Sequence, residues 1–147
     1  MNNGVYAMIQ WKDLVTPMTF VGLSDFQGTL RIFLKDKLNR KGYLKFDGYL
    51  TFRKMNEGDA IRSLDLMKKK SLLSNSVIFY KKSKFLSWFL SESCGIYSTD
   101  KLSHCRILFD DDIIDVISIL DEGDKKDSTI IFVETEGVGF GVAEDWL

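Results

Sequence analysis

The strongest constraint in this chain is an alternation of apolar and polar residues with period two, the spacing of a half-buried β-strand. Leu30, Ile32 and Leu34 alternate with Arg31, Phe33 and Lys35. After the polar stretch from Asp36 to Gly42 the alternation resumes. Leu44, Phe46, Leu50 and Phe52 then share one parity, and Tyr43, Lys45, Asp47, Tyr49, Thr51 and Arg53 the other. This predicts a β-hairpin. A two-residue turn at Asp47-Gly48 would set Phe46 against Tyr49 and Leu44 against Thr51 and scramble the faces. The return segment is therefore expected as one long strand with Gly48 as a bend or bulge.

The C-terminal half repeats the pattern. Cys105 to Phe109 leads through an acidic turn into Ile113 to Leu120. With Asp111-Asp112 as the loop, Phe109 opposes Ile114 and Ile107 opposes Val116. Cys105, Ile107, Phe109, Ile114, Val116 and Leu120 then line one face, and His104, Arg106, Asp110 and Asp115 fall on the other. The run Ser128 to Thr135 is apolar on both parities, as a strand covered on two sides would be, and completes an expected three-stranded meander. Val77 to Tyr80 reads as a further strand. Helical period appears between Asn56 and Ser71, where Asp59 can cap and Lys68, Lys69 and Lys70 suit a C-terminus. Ser83 to Ser91 is too short and too uniformly apolar to assign by period, and is expected to be buried. The fold class that follows is α+β: mostly antiparallel sheet, an N-terminal hairpin, a C-terminal three-stranded meander, and one or two short helices.

No repeat, low-complexity tract or Pro/Gly/Ser linker divides the 147 residues, so residues 1–147 are expected to form a single domain. With 45% apolar residues, one proline and two cysteines, the composition excludes collagen-like, disulfide-rich and disordered classes. No apolar run approaches the length of a membrane span, and Met1-Asn2-Asn3-Gly4 does not open a signal peptide. A cytoplasmic protein with reduced Cys94 and Cys105 is the expectation. Net charge conceals an asymmetry. Met1 to Ser103 holds 17 Lys/Arg against 9 Asp/Glu, and His104 to Leu147 holds 3 against 12. Such segregation attracts oppositely charged partners, or neutralises itself when the two halves pack together.

No catalytic constellation stands out. His104 is the one histidine, so any Ser/His/Asp or Cys/His mechanism must run through it. Cys105 beside it points to the opposite face of a strand. Cys94, His104 and Cys105 lack zinc spacing, and no metal or other cofactor is expected. Asp110, Asp111, Asp112 and Asp115 could hold a divalent cation for phosphate chemistry, or form a solvated acidic turn. Gly137-Val138-Gly139-Phe140-Gly141 leaves too little chain for the helix that a phosphate loop opens. Arg31 to Lys84 interleaves 15 Lys/Arg with aromatics, which suggests single-stranded nucleic-acid binding by a basic aromatic sheet face with Tyr49, Arg53, Lys45 and Arg31 as contacts.

Trp88 to Leu120 carries a resemblance. Trp88-Phe89-Leu90-Ser91-Glu92-Ser93-Cys94-Gly95, Leu102-Ser103-His104-Cys105-Arg106-Ile107 and Asp111-Asp112-Ile113-Ile114-Asp115-Val116-Ile117-Ser118 resemble immunity proteins of bacterial contact-dependent inhibition and other polymorphic toxin systems. The resemblance implies a non-enzymatic protein that binds the C-terminal domain of its cognate toxin, commonly a nuclease, and occludes its active site or substrate groove. An acidic face on such an inhibitor can occupy a surface that the toxin presents to phosphate. The contacts expected on that logic are Asp110, Asp111, Asp112, Asp115, Asp121, Glu122 and Asp124, with Trp146 as an anchor. The single-stranded nucleic-acid reading is the alternative.

Overall fold

The computed structural model describes residues 5–9, 15–56, 77–119 and 130–134. Among the described residues nine strands build two antiparallel sheets: β1 (Val5–Ile9), β2 (Thr19–Phe26), β3 (Thr29–Lys35), β4 (Lys41–Asp47), β5 (Tyr49–Asn56), β6 (Val77–Tyr80), β7 (Leu102–Leu108), β8 (Asp112–Ile119) and β9 (Ile130–Glu134). One sheet has the order β1-β6-β7-β8-β5 and the other β2-β3-β4-β9. A single α-helix among the described residues, α1 (Lys84–Glu92), and a 3-10 turn at Thr99–Lys101 complete the α+β architecture. No helix among the described residues is long and apolar enough to cross a membrane.

The expected hairpin is β3 and β4, with Leu30 opposite Phe46, Ile32 opposite Leu44 and Phe33 opposite Tyr43. Its apolar parity forms one wall of the core. Leu30, Ile32, Leu34, Leu44 and Phe46 pack against Val77, Phe79, Cys105, Ile107, Ile114 and Val116 of the other sheet. Burial of this order, at about 25 cal/mol per Å² of apolar surface, is what drives the sheets together. Asp36 anchors the turn between β3 and β4. Its carboxylate accepts from the backbone N–H of Val15, Leu38 and Arg40 and from Arg40 Nε. Burial pushes this carboxyl up, but the bonds from Arg40, Val15 and Leu38 outweigh it and hold the group below the ordinary carboxylate value.

Gly48 is where the chain leaves one sheet for the other. Its φ of +67° is open to glycine and costly for other residues, and its N–H donates to the Gly28 carbonyl at 3.1 Å. β4 before it pairs with β3 and β9, and β5 after it pairs with β8. The expected continuous strand is thus broken at the expected bend. A register shift between Tyr49 and Thr51 then reverses the parity. Tyr49 and Phe52 both join the inter-sheet core, while Leu50 packs on the far side against α1.

Two further expectations are corrected. β9 pairs with β4 instead of β8, so the C-terminal meander does not form and its third strand belongs to the opposite sheet. The edge of β8 that β9 would need is occupied by β5. The β7–β8 hairpin also turns one residue earlier than expected, with Asp110 and Asp111 between Phe109 and Asp112, which slips the pairing by two. Ile107 opposes Ile114 and Cys105 opposes Val116. A slip of two preserves every face, so Cys105, Ile107, Phe109, Ile114 and Val116 are still in the core, and Leu120 lies outside the described residues. The helical period after Asn56 lies outside the described residues.

Candidate functional site

The outer face of the five-stranded sheet carries a buried polar cluster. His104, Arg106 and Asp115 lie on adjacent strands, with Arg106 directly opposite Asp115 and His104 one pair away on the same face. Arg53 of β5 lies opposite Asp115 from the other side. Asp115 Oδ1 is 2.6 Å from His104 Nε2 and accepts from Arg106 Nε at 2.7 Å, while Oδ2 accepts from Arg53 Nε at 2.9 Å. Only 1% of His104 and 3% of Asp115 is exposed.

α1 closes over this cluster. Ser83 is the residue a helix N-cap calls for: extended backbone, with a side chain that accepts from the Leu86 N–H. Phe85 and Leu86 are the buried residues of the helix, and they pack on Leu102 and Ile117. The same Ser83 hydroxyl lies 2.7 Å from His104 Nδ1. Tyr80 stacks on the imidazole at 4.9 Å, and Phe85 meets it edge-on at 5.3 Å. Burial pushes the His104 imidazole below its ordinary pKa, opposed by Asp115 and assisted by Arg106 and Arg53. Burial works against the charged form of Asp115, but the hydrogen bonds from His104 and Arg106 outweigh it and hold the carboxyl well below its ordinary value. A neutral imidazole therefore donates from Nε2 to Asp115 and accepts from the Ser83 hydroxyl at Nδ1.

Ser83, His104 and Asp115 stand in the order of a hydrolase triad. The contacts also tie these residues to the helix. Here Ser83, Asp115, Tyr80 and Phe85 enclose the ring, and the Ser83 oxygen already serves as a helix cap. The cluster is a polar pin that fastens α1 to the sheet. Sequence reasoning placed His104, Arg106 and Asp115 on one face but did not join Ser83 or Arg53 to them, and assigned Arg53 to the basic aromatic face. A serine before the apolar run Phe85-Leu86 was the available signal for the cap.

The expected acidic contacts separate. Asp111 is exposed at the tip of the β7–β8 turn. Asp110 is half-buried and accepts from Thr19 Oγ1 at 2.7 Å. Asp112 is half-buried and pairs with Lys54 at 2.9 Å. Asp115 is corrected: it belongs to the buried cluster, where two arginines and a histidine take up its oxygens, and it is not presented to a partner. Asp121, Glu122, Asp124 and Trp146 lie outside the described residues. Among the described residues no group of three or more His, Cys, Asp or Glu side chains is placed to hold a metal ion.

The four residues of the basic aromatic face do not share one face. Arg31 and Lys45 are opposite one another on the outer side of the four-stranded sheet, with Arg31 5.8 Å from the Tyr43 ring. Arg31 Nε and Nη1 are buried without a hydrogen-bond partner among the described residues. Tyr49 is half-buried against the core, edge-on to Phe52, and burial together with a hydrogen bond to Asp25 pushes its hydroxyl up to about 12. Arg53 joins the Asp115 cluster on the helix side. The sheet switch at Gly48 and the bulge after Tyr49 are what divide them. Ser83 to Ser91 is also less buried than expected, because Trp88 is 51% exposed on the outer side of α1. Cys94 is exposed and Cys105 buried, and no disulfide joins them.

No known family model matches this chain, and no characterised protein or solved structure is significantly similar to it.

Proposed function

We propose that the chain is a cytoplasmic immunity-type protein that binds the C-terminal domain of a cognate toxin, a nuclease, and neutralises it by occluding its active site or substrate groove. The observation that carries this reading is the acidic turn between β7 and β8. The Phe109 N–H donates to the Asp112 carbonyl at 2.9 Å, and the Asp110 N–H donates to the Met18 carbonyl at 2.8 Å. Thr19 holds the Asp110 carboxylate from the neighbouring sheet. The Asp111 carboxylate is therefore presented from a turn held by two backbone hydrogen bonds and one side-chain bond. A preordered charged loop loses little conformational entropy on docking, and an anion of this kind complements a cationic phosphate-binding groove.

Growth protection tests the reading. The toxin domain encoded beside this chain is expressed with and without it, and survivors are counted. Rescue with co-purification of the two chains is the expected result. Charge reversal by Asp111→Lys is expected to slow association and weaken protection. A toxic domain that this chain neither binds nor neutralises overturns the reading.

A further inference from the structure

Ser83 is where the buried cluster reaches toward the surface. It is half-buried, whereas His104 and Asp115 are almost wholly enclosed. Three residues after the end of β6 it precedes α1 with extended backbone, so its hydroxyl stands at the first turn of the helix. A helix cap needs only the Leu86 N–H. It does not call for an imidazole at 2.7 Å backed by a carboxylate at 2.6 Å, from residues 21 and 32 positions further along the chain. Nor does docking of α1 require them, since Phe85 and Leu86 already pack on Leu102 and Ile117. A buried polar chain carries a desolvation cost that apolar packing does not.

The hydrogen-bond roles in this chain are those of an activated nucleophile. Asp115 accepts from Arg53 and Arg106, which keep it ionised, and it accepts from His104 Nε2. That bond fixes the ring as the tautomer bare at Nδ1. Nδ1 then accepts the proton of the Ser83 hydroxyl. The Leu86 N–H approaches the same oxygen at 3.1 Å and takes one of its two lone pairs, which leaves the other for attack. Tyr80 and Phe85 hold the plane of the ring from 4.9 and 5.3 Å. The two nitrogens are used in reverse of the commoner hydrolase arrangement. Proton transfer asks only that one nitrogen be held and the other face the nucleophile.

We infer that Ser83 is the nucleophile and His104 the general base of a site that hydrolyses carboxylic esters, with Asp115, Arg106 and Arg53 as positioning residues. This chemistry goes beyond the toxin-binding reading and uses no residue of the acidic turn. In the first step a lone pair of Ser83 Oγ forms a bond to the ester carbonyl carbon, and the hydroxyl proton passes to His104 Nδ1. The oxyanion forms beside the first turn of α1, whose opening N–H groups have no acceptor within the helix. Its collapse breaks the bond to the alkoxide, which leaves with the proton from Nδ1. Water then attacks the acyl-serine and gives a proton to Nδ1. The carboxylic acid departs as Ser83 Oγ takes that proton back. Esters are the class that fits. Burial, assisted by Arg106 and Arg53, keeps the imidazole a weak base, and an ester carbonyl is more electrophilic than an amide and loses its alkoxide more readily.

Two probes test the site on the purified full chain: hydrolysis of p-nitrophenyl acetate, and labelling by an alkyl fluorophosphonate, which forms a phosphonyl ester with an activated serine and releases fluoride. Peptide mass spectrometry is expected to find the adduct on Ser83 of the folded chain and to lose it when the chain is first unfolded in urea. His104→Asn, which removes the base, is expected to slow labelling about a hundredfold or more. Ser83→Thr keeps the cap and the bond to His104 but crowds the oxygen with a methyl group, so most labelling and hydrolysis should be lost while circular dichroism is unchanged. Ser87→Ala, at an exposed serine of the same helix, is the control and leaves both readouts as they were. Mapping of the adduct on the native chain carries the test should a variant fail to fold. No adduct at Ser83 of the folded chain, or one that forms equally after unfolding, overturns the inference. So does ester hydrolysis that Ser83→Thr leaves unchanged. None of these results bears on the toxin reading, which growth protection decides.

Discussion

His104 and Asp115 meet across β7 and β8 with Nε2 2.6 Å from Oδ1, both almost wholly out of water. The contact joins the one histidine of the chain to a carboxylate that Arg106 and Arg53 also claim. Removing the charge at Asp115 leaves Arg106 buried without its anion. Asp115→Asn is therefore expected to lower stability by about 3–5 kcal/mol. Asp111→Asn, at the exposed turn, should stay within about 0.5 kcal/mol of the native chain. Urea unfolding of the two variants compares them, and equal midpoints would refute the account of the cluster.

The same pair sets a pH dependence. Burial depresses the His104 imidazole in the folded state, so the unfolded chain takes up a proton near its ordinary value of 6.5 that the folded chain refuses. Stability from this group is complete above that pH and declines below it. A second decline follows below the ordinary carboxyl value of 3.8, where Asp115 and Asp36, both depressed in the fold, must be protonated. Urea midpoints between pH 8 and pH 3 are expected to fall in these two stages. A flat profile from pH 7 to pH 5 would contradict the neutral, buried assignment of His104.

Ser83 serves two masters: the first turn of α1 and the imidazole. Loss of an N-cap costs about 1 kcal/mol, and an orphaned buried acceptor adds about 1–3 kcal/mol. Ser83→Ala should therefore cost about 2–4 kcal/mol in chemical unfolding, more than a surface cap. Ser83→Thr, which keeps the hydroxyl, should recover most of it. A loss no greater than that of an ordinary cap would show that the Ser83–His104 contact contributes nothing.

Gly48 and Gly22 give a matched pair. A methyl group would meet nothing within 4 Å at either position, but only Gly48 has a left-handed backbone, at φ +67°. Gly48→Ala is expected to cost about 1–2 kcal/mol through backbone strain alone, and Gly22→Ala to be neutral or slightly stabilising, since glycine weakens a strand interior. Thermal unfolding of both variants checks the contrast. Similar behaviour would mean that the corner at Gly48 relaxes easily.

Local pattern determined the faces of this protein, and tertiary structure determined the partners. Parity along a strand depends only on neighbouring residues, so Leu30, Ile32, Leu34, Cys105, Ile107, Ile114 and Val116 were legible as one buried set. Even a two-residue slip in the β7–β8 register left them there. Placement of His104, Arg106 and Asp115 on a common face followed from the same alternation. Which sheet a strand joins depends on competition for edges far apart in the chain. β5 takes the free edge of β8, and β9 is left to pair with β4. The bulge between Tyr49 and Thr51 reverses parity without a mark in the local pattern, and that reversal splits the basic aromatic face. The Ser83–His104 contact spans 21 residues and forms only when α1 docks. Packing decides such contacts, because their free energy exists only once both surfaces have left water.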